Sequence, residues 1–268
     1  MRNFWSKLVI ACALTVGVAG AQPAPPNAAG VTFGHLHVRT RQVPEHMKFW
    51  RDLLAGKASM LGKMQRITLP GIEILLQDAD ASGGTAGSTI DHVGFQVRDL
   101  TAMLAKARQA GFTVISENPQ RGMAYLMAPD EVKVEFLEDK SLPDDRAAGG
   151  HIHIYTEGEA SIPEVEAWYV KMFGATTTKR GSFQEATVPG TSVSFAVSKT
   201  PVVGTKGRAL DHIGFEVRDL EAYCKKLESQ GVKLDVPYRV IKDLGLALAF
   251  VTDPRGTYIE LNQAIEQK

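Results

Sequence analysis

The chain has 268 residues, 44% of them apolar, and its 30 Lys and Arg residues are balanced by 30 Asp and Glu residues. A chain with no net charge and no basic block has no electrostatic footprint for nucleic acid, which excludes that class of partner. About 240 residues beyond the N-terminal segment can bury one or two cores, and two cysteines exclude a disulfide-built fold.

Residues 1–21 read as a signal peptide. Arg2 and Lys7 form its basic start, Leu8 to Val18 its apolar run, and Ala19, Gly20 and Ala21 a small-residue cleavage site. The run is too short to span a bilayer comfortably, so the mature protein is expected to be periplasmic or secreted, without a stable membrane span. Cys12 lies inside the apolar run and does not read as a lipidation site. Cleavage leaves Cys224 as the one cysteine, on the apolar side of a helix, and no intramolecular disulfide can form although export would permit one. Residues 22–30, rich in Pro and Ala, read as a flexible leader.

A long-period repeat organises the rest. Asp91 to Leu100 (DHVGFQVRDL) returns as Asp211 to Leu220 (DHIGFEVRDL), and Gly34 to Val38 (GHLHV) is echoed by Gly150 to Ile154 (GHIHI). Each of these segments opens a module that reads as a strand, a helix and three strands. The first module, from about Val31 to Asp78, has a helix with Pro44 in its first turn and an apolar stripe of Met47, Trp50, Leu53 and Leu54. His46 on that helix reads as solvated. Pro70-Gly71 predicts a type II turn into the closing strand Ile72 to Leu76. After a polar link from Ala79, the second module carries Asp99 as N-cap, Gly111 as helix stop and Val132 to Leu137 as closing strand. A charged, then Ala/Gly-rich stretch from Glu138 to Gly149 reads as a domain linker. The third module has Ser161 as N-cap, Pro163 in the first turn, Gly174 as stop and a second Pro-Gly turn at 189–190; the fourth has Asp219 as N-cap, Gly231 as stop and Tyr258 to Asn262 as closing strand.

Strand alternation places the chemistry. Val93, Phe95 and Val97 share the face that packs on the helix, while His92, Gly94 and Gln96 share the other, and the same split separates His212, Gly214 and Glu216. In the closing strands Glu73, Glu135 and Glu260 each sit between apolar neighbours and therefore point to the His face. A buried, unpaired carboxylate costs several kcal/mol, so such residues ask for partners. Neutral imidazole with carboxylate suits a divalent ion of Zn, Ni, Co, Mn or Fe(II), and two His with one carboxylate leave coordination positions open. The metal candidates are His35, Glu73, His92 and Glu135 in the first half and His151, His212 and Glu260 in the second, with Ser194 where the second half would hold its fourth ligand. His37 and His153 lie two residues deeper on the same faces and read as groups behind the ligands.

These residues resemble the vicinal oxygen chelate superfamily, which includes glyoxalase I, extradiol dioxygenases, fosfomycin-resistance proteins and bleomycin-binding proteins. The resemblance runs from about Val31 to Gln263 and rests on the βαβββ order, the Asp-His-Val/Ile-Gly-Phe openings and the closing Asp253-Pro-Arg-Gly-Thr-Tyr-Ile-Glu260. It implies an α+β fold of two glyoxalase-like domains, taken as residues 31–139 and 150–264, each pairing two modules around a cleft with a divalent metal and binding a small-molecule substrate. Duplication and linker favour pairing module one with two and three with four; if one pairs with four, the complete set becomes His35, Glu73, His212 and Glu260. In the first half the resemblance implies lyase or isomerase chemistry on vicinal oxygens, with Glu73 or Glu135 as proton-transfer base. The second-half His-His-Glu set resembles the Fe(II) site of extradiol dioxygenases, but Phe250 stands where that pattern has Tyr, and no His precedes it. A metal-free binding protein is the remaining alternative.

Overall fold

The computed structural model describes residues 23–265. The signal-peptide reading falls outside them, and among the described residues no helix is long and apolar enough to cross a membrane. Four βαβββ modules follow one another: β1 (Val31–Thr40), α1 (Val43–Met47), β2 (Lys57–Leu61), β3 (Met64–Leu69) and β4 (Ile72–Asp78); β5 (Ile90–Val97), α2 (Leu100–Gln109), β6 (Thr113–Asn118), β7 (Met123–Ala128) and β8 (Val132–Glu138); β9 (Ala148–Thr156), α3 (Ile162–Phe173), β10 (Thr176–Arg180), β11 (Phe183–Val188) and β12 (Thr191–Val197); β13 (Leu210–Val217), α4 (Leu220–Ser229), β14 (Val236–Ile241), β15 (Leu246–Thr252) and β16 (Tyr258–Ala264).

Local chemistry sets most of the element ends. The carboxylates of Asp99 and Asp219 accept the N–H groups of Ala102 and Ala222, at 2.8 and 3.1 Å, and so cap α2 and α4. Ser161 does not cap α3; its hydroxyl donates to the Gly158 carbonyl instead. Gly71 has the positive φ that its turn requires. The first helix continues past Met47 as π-helical turns from Lys48 to Leu53. Residues 27–30 are not free as a flexible leader would be: the Asn27 amide donates to the carbonyls of Phe173 and Gly174, and Gly30 accepts from the Arg218 N–H.

The modules form two eight-stranded sheets, one in the order β14-β15-β16-β13-β1-β4-β3-β2 and the other β10-β11-β12-β9-β5-β8-β7-β6. Module one is therefore paired with four and module two with three, not one with two and three with four. The segments 31–139 and 150–264 each give one module to either sheet. Consecutive modules do meet, but through their apolar sides: Trp50 lies 5.8 Å from Phe95, and Phe173 stacks on Phe215 at 4.3 Å. That contact uses the helix-packed faces and leaves the opening strands to seek another partner, which β1 finds in β13 and β5 in β9, both antiparallel.

Two buried polar ties fix consecutive modules to each other. His46, fully buried rather than solvated, accepts from Trp50 Nε1 at Nδ1 (2.9 Å) and donates from Nε2 to Asp130 in the β7–β8 turn (3.1 Å). In the second half Tyr169 of α3 donates to Asp253 in the β15–β16 turn at 3.1 Å. The two polar links pack against each other, with Ser82 and Gly83 bonded to Gly207 and Ala209 and Ser88 bridged to Val203.

Candidate metal centres

Each sheet carries its His and Glu residues where the opening strands meet. In the first, Glu73 on β4, His35 on β1, Gly214 on β13 and Glu260 on β16 are cross-strand neighbours in one row, and His212 lies on the same face two residues before Gly214. The glycine is a steric requirement: a Cβ at Gly214 would overlap the His35 ring, and one at Gly94 would overlap His151 in the other sheet. Each Asp-His-X-Gly-Phe opening thus supplies one imidazole and makes room for the one that crosses from its partner strand.

In the β1/β13 cleft His212 Nε2 lies 3.0 Å and His35 Nε2 3.7 Å from Glu260 Oε2. His212 donates from Nδ1 to Asp211 at 2.6 Å, which directs its Nε2 at Glu260. Burial opposes charge on Glu260, but the two imidazoles outweigh it and hold the carboxyl well below its usual range; burial likewise works to lower His212, and Asp211 and Glu260 overcome it, so its pKa is raised. Glu73 stands beside His35, yet its carboxylate turns toward Thr68 (3.5 Å) and Arg66 (3.9 Å).

The β5/β9 cleft repeats the pattern. Glu135 Oε2 lies 3.2 Å from His92 Nε2 and 2.9 Å from His151 Nε2, the two ring nitrogens are 3.3 Å apart, and His92 donates from Nδ1 to Asp91 at 2.6 Å. Here Lys133 also holds Asp91, at 2.8 Å. Burial disfavours the Glu135 anion, but His151 and His92 again keep its pKa well below the usual range. The fourth position departs from the sequence reading. His151 is registered with Ser192 and His153 with Ser194, whereas His35 is registered with Glu73. Ser192, not Ser194, is therefore the counterpart of Glu73. Ser194 instead meets Glu185 on β11, a buried carboxylate that the sequence reading passed over.

His37 and His153 stack on His212 and His92, at 4.3 and 4.7 Å between near-parallel rings. Their nitrogens come within 4.8 Å of the other two imidazoles in each cleft. Near-parallel rings keep their in-plane lone pairs in separate planes, which disfavours a shared ion for a stacked pair, while Nδ1 of His37, like Nε2 of His35, is buried without a hydrogen-bond partner. Burial, reinforced by the neighbouring imidazoles, lowers His37 and His153 each to a pKa of about 3 and keeps the rings neutral.

The donor set fits a divalent cation. Two imidazoles and a carboxylate converge in each cleft, Asp211 and Asp91 fix one tautomer in each, and the buried Nε2 of His35 has no hydrogen-bond partner. Residues 150–261 match the family model described as Glyoxalase/Bleomycin resistance protein/Dioxygenase superfamily. The fold is that of the vicinal oxygen chelate superfamily. Glyoxalase I from Zea mays superposes with a TM-score of 0.66 at 14% identity, over 87% of this chain and 92% of that one. A putative dioxygenase from Bacillus subtilis superposes with a TM-score of 0.64, also at 14% identity, over 91% and 86%. No curated protein matches the sequence. At such identities the likeness establishes the fold alone, and one fold can serve varied activities.

Proposed function

We propose that this chain is an exported, divalent-metal-dependent lyase or isomerase acting at the β1/β13 cleft on a small substrate with adjacent oxygens. The observation that carries this reading is the convergence of His35, His212 and Glu260 with a further carboxylate, Glu73, on the next strand. A divalent ion in that place supplies Lewis acidity toward vicinal oxygens. His35, His212 and Glu260 hold it. Glu73, turned from the three toward Thr68 and Arg66, is the group suited to take and return a proton at the substrate carbon. Asp211 keeps the His212 proton on Nδ1, and Phe250, edge-on to His212 at 5.1 Å, walls that ring from water.

A second reading concerns the other cleft. His92, His151 and Glu135, within 2.9–3.3 Å of one another, form the two-His, one-carboxylate arrangement that suits Fe(II) oxygen chemistry. Tyr125 lies edge-on to His92 at 5.1 Å and is the cross-strand neighbour of Glu135.

Elemental analysis of untagged protein purified from the periplasm tests both readings. Wild type is expected to begin at Gln22 and to carry divalent metal. Glu260→Ala should lose the β1/β13 ion and Glu135→Ala the β5/β9 ion, while Glu73→Ala keeps its metal and loses turnover. Iron lost only with Glu135→Ala would favour the dioxygenase reading. Absence of metal in wild type, and none retained after anaerobic loading with Fe, Mn, Ni, Co or Zn, would leave a metal-free binding protein.

A further inference from the structure

The two clefts differ in charge. Around the β1/β13 cluster, four carboxylates (Glu260, Asp211, Glu73 and Glu216) face two cations, Arg66 at 3.9 Å from Glu73 and Lys206 over the Tyr258 ring that lies edge-on to His212. Around the β5/β9 cluster, Gln96 and Ser192 replace Glu216 and Glu73, and Lys133 and Arg180 pair with Asp91 and Glu185 at 2.8 Å each. Three carboxylates then face two cations. A bound divalent ion would leave the first cleft near neutral and make the second positive.

Arg180 is held for a purpose that the metal ligands do not explain. Its Nε donates to Glu185 and its Nη2 to Ser194 at 3.0 Å, while Ser194 donates to the same Glu185 oxygen at 2.5 Å. One edge of the guanidinium is thereby braced against a buried carboxylate, and its remaining N–H groups stay available on a side chain that is 37% exposed. The charge lies on the cleft side of the sheet: Ser194, which Arg180 touches, is registered with His153, and Phe183, over which the guanidinium lies at 5.8 Å, is edge-on to the His153 ring at 5.1 Å. Register puts Leu61, Arg66 and Leu75 where this cleft has Arg180, Glu185 and Ser194, so the β1/β13 cleft has no such brace.

We propose that the β5/β9 cleft selects a small anion with vicinal oxygens, such as oxalate or an α-oxo or α-hydroxy acid, and that Arg180 is the residue that selects it. This rests on the reading that His92, His151 and Glu135 hold a divalent ion. The carboxylate accepts from the free side of the Arg180 fork, and the positive cleft favours the anion over a neutral diol.

Calorimetric titration of oxalate into the cobalt-loaded full chain tests this, with cobalt content measured before and after. Wild type should bind oxalate. Glu135→Ala should abolish that binding, Glu260→Ala should preserve it, and Arg180→Gln should weaken it at least about tenfold at unchanged cobalt content. Affinity within about twofold of wild type in Arg180→Gln, or oxalate binding lost with Glu260→Ala instead of Glu135→Ala, would overturn the proposal. Should Arg180→Gln fail to fold by circular dichroism, Arg180→Lys keeps the charge and loses the fork; unchanged affinity there overturns it equally. A chain that takes up no cobalt defeats the metal reading by itself. Oxalate binding to that metal-free chain would then have to depend on Arg180, and its absence would overturn the anion site as well.

Discussion

Gly214 and Gly94 determine whether two imidazoles can share a cleft, because each lies beneath a ring contributed by the opposite strand. A methyl group at Gly214 must push His35 away from Glu260 or spread β1 from β13. Overpacking of this kind costs about 1–3 kcal/mol. Gly214→Ala is therefore expected to lower the melting temperature and to remove metal from the β1/β13 cleft while leaving the β5/β9 ion in place, as read by elemental analysis of the variant alone and combined with Glu135→Ala. The glycines were visible in the repeated Asp-His-X-Gly-Phe segments, but the alternation of a single strand gives only the face, not the ring that covers it. The displaced serine has another cause. Ser192 and Ser194 lie on one face of β12 and periodicity does not separate them, but the repeated Pro-Gly turn does, since Ser192, like Glu73, is the second residue after its glycine.

At the scale of elements, sequence signals worked where the physics was local. Asp99 and Asp219 cap their helices as their positions dictate, and the Gly at each Pro-Gly turn takes its positive φ. Ser161 had the same credentials and bonds elsewhere, because the short helical turn preceding α3 offers its hydroxyl the Gly158 carbonyl first. The distinction is measurable: Asp219→Ala should cost about 1 kcal/mol in chemical denaturation, whereas Ser161→Ala, with no capping bond to lose, should stay within about 0.5 kcal/mol. His46 was the element-scale miss. Its spacing of four residues from Trp50 sets the two side chains on one helical face, and that spacing was the available sign that the imidazole is drawn into the core.

For the whole molecule, the pairing of modules lay beyond the reach of the sequence. Either pairing buries the same apolar faces and gathers the same residue types, and the register that decides between them joins His37 to His212 across most of the chain. Consecutive modules, which the duplication and the linker suggested as cleft partners, are instead tied through His46–Asp130 and Tyr169–Asp253. The first of these makes stability depend on pH. Burial lowers the His46 pKa, partly offset by Asp130, and protonation of Nδ1 would break the bond from Trp50. Below about pH 6.5 the unfolded chain binds a proton that the folded chain refuses. The stabilisation is complete above that value and is lost as pH falls toward the lowered folded pKa. Wild type should therefore lose more melting temperature between pH 7 and 5 than His46→Gln, which has no such proton to exclude; equal losses would show that the tie does not govern this window.

The strand order β13-β1 and β9-β5 nests one sheet inside the other along the chain, like inner and outer brackets. During synthesis the inner pair can close once β9 to β12 have appeared, while β1 waits with an open edge until β13 is made. The outer cleft is thus the last part to form and the first casualty of a C-terminal truncation, and a chain ending before β13 would retain a complete β5/β9 site beside half of the other. Loop closure over so long a separation is slow, so the cleft richest in carboxylates is also the one that waits for β13 to β16 to be made.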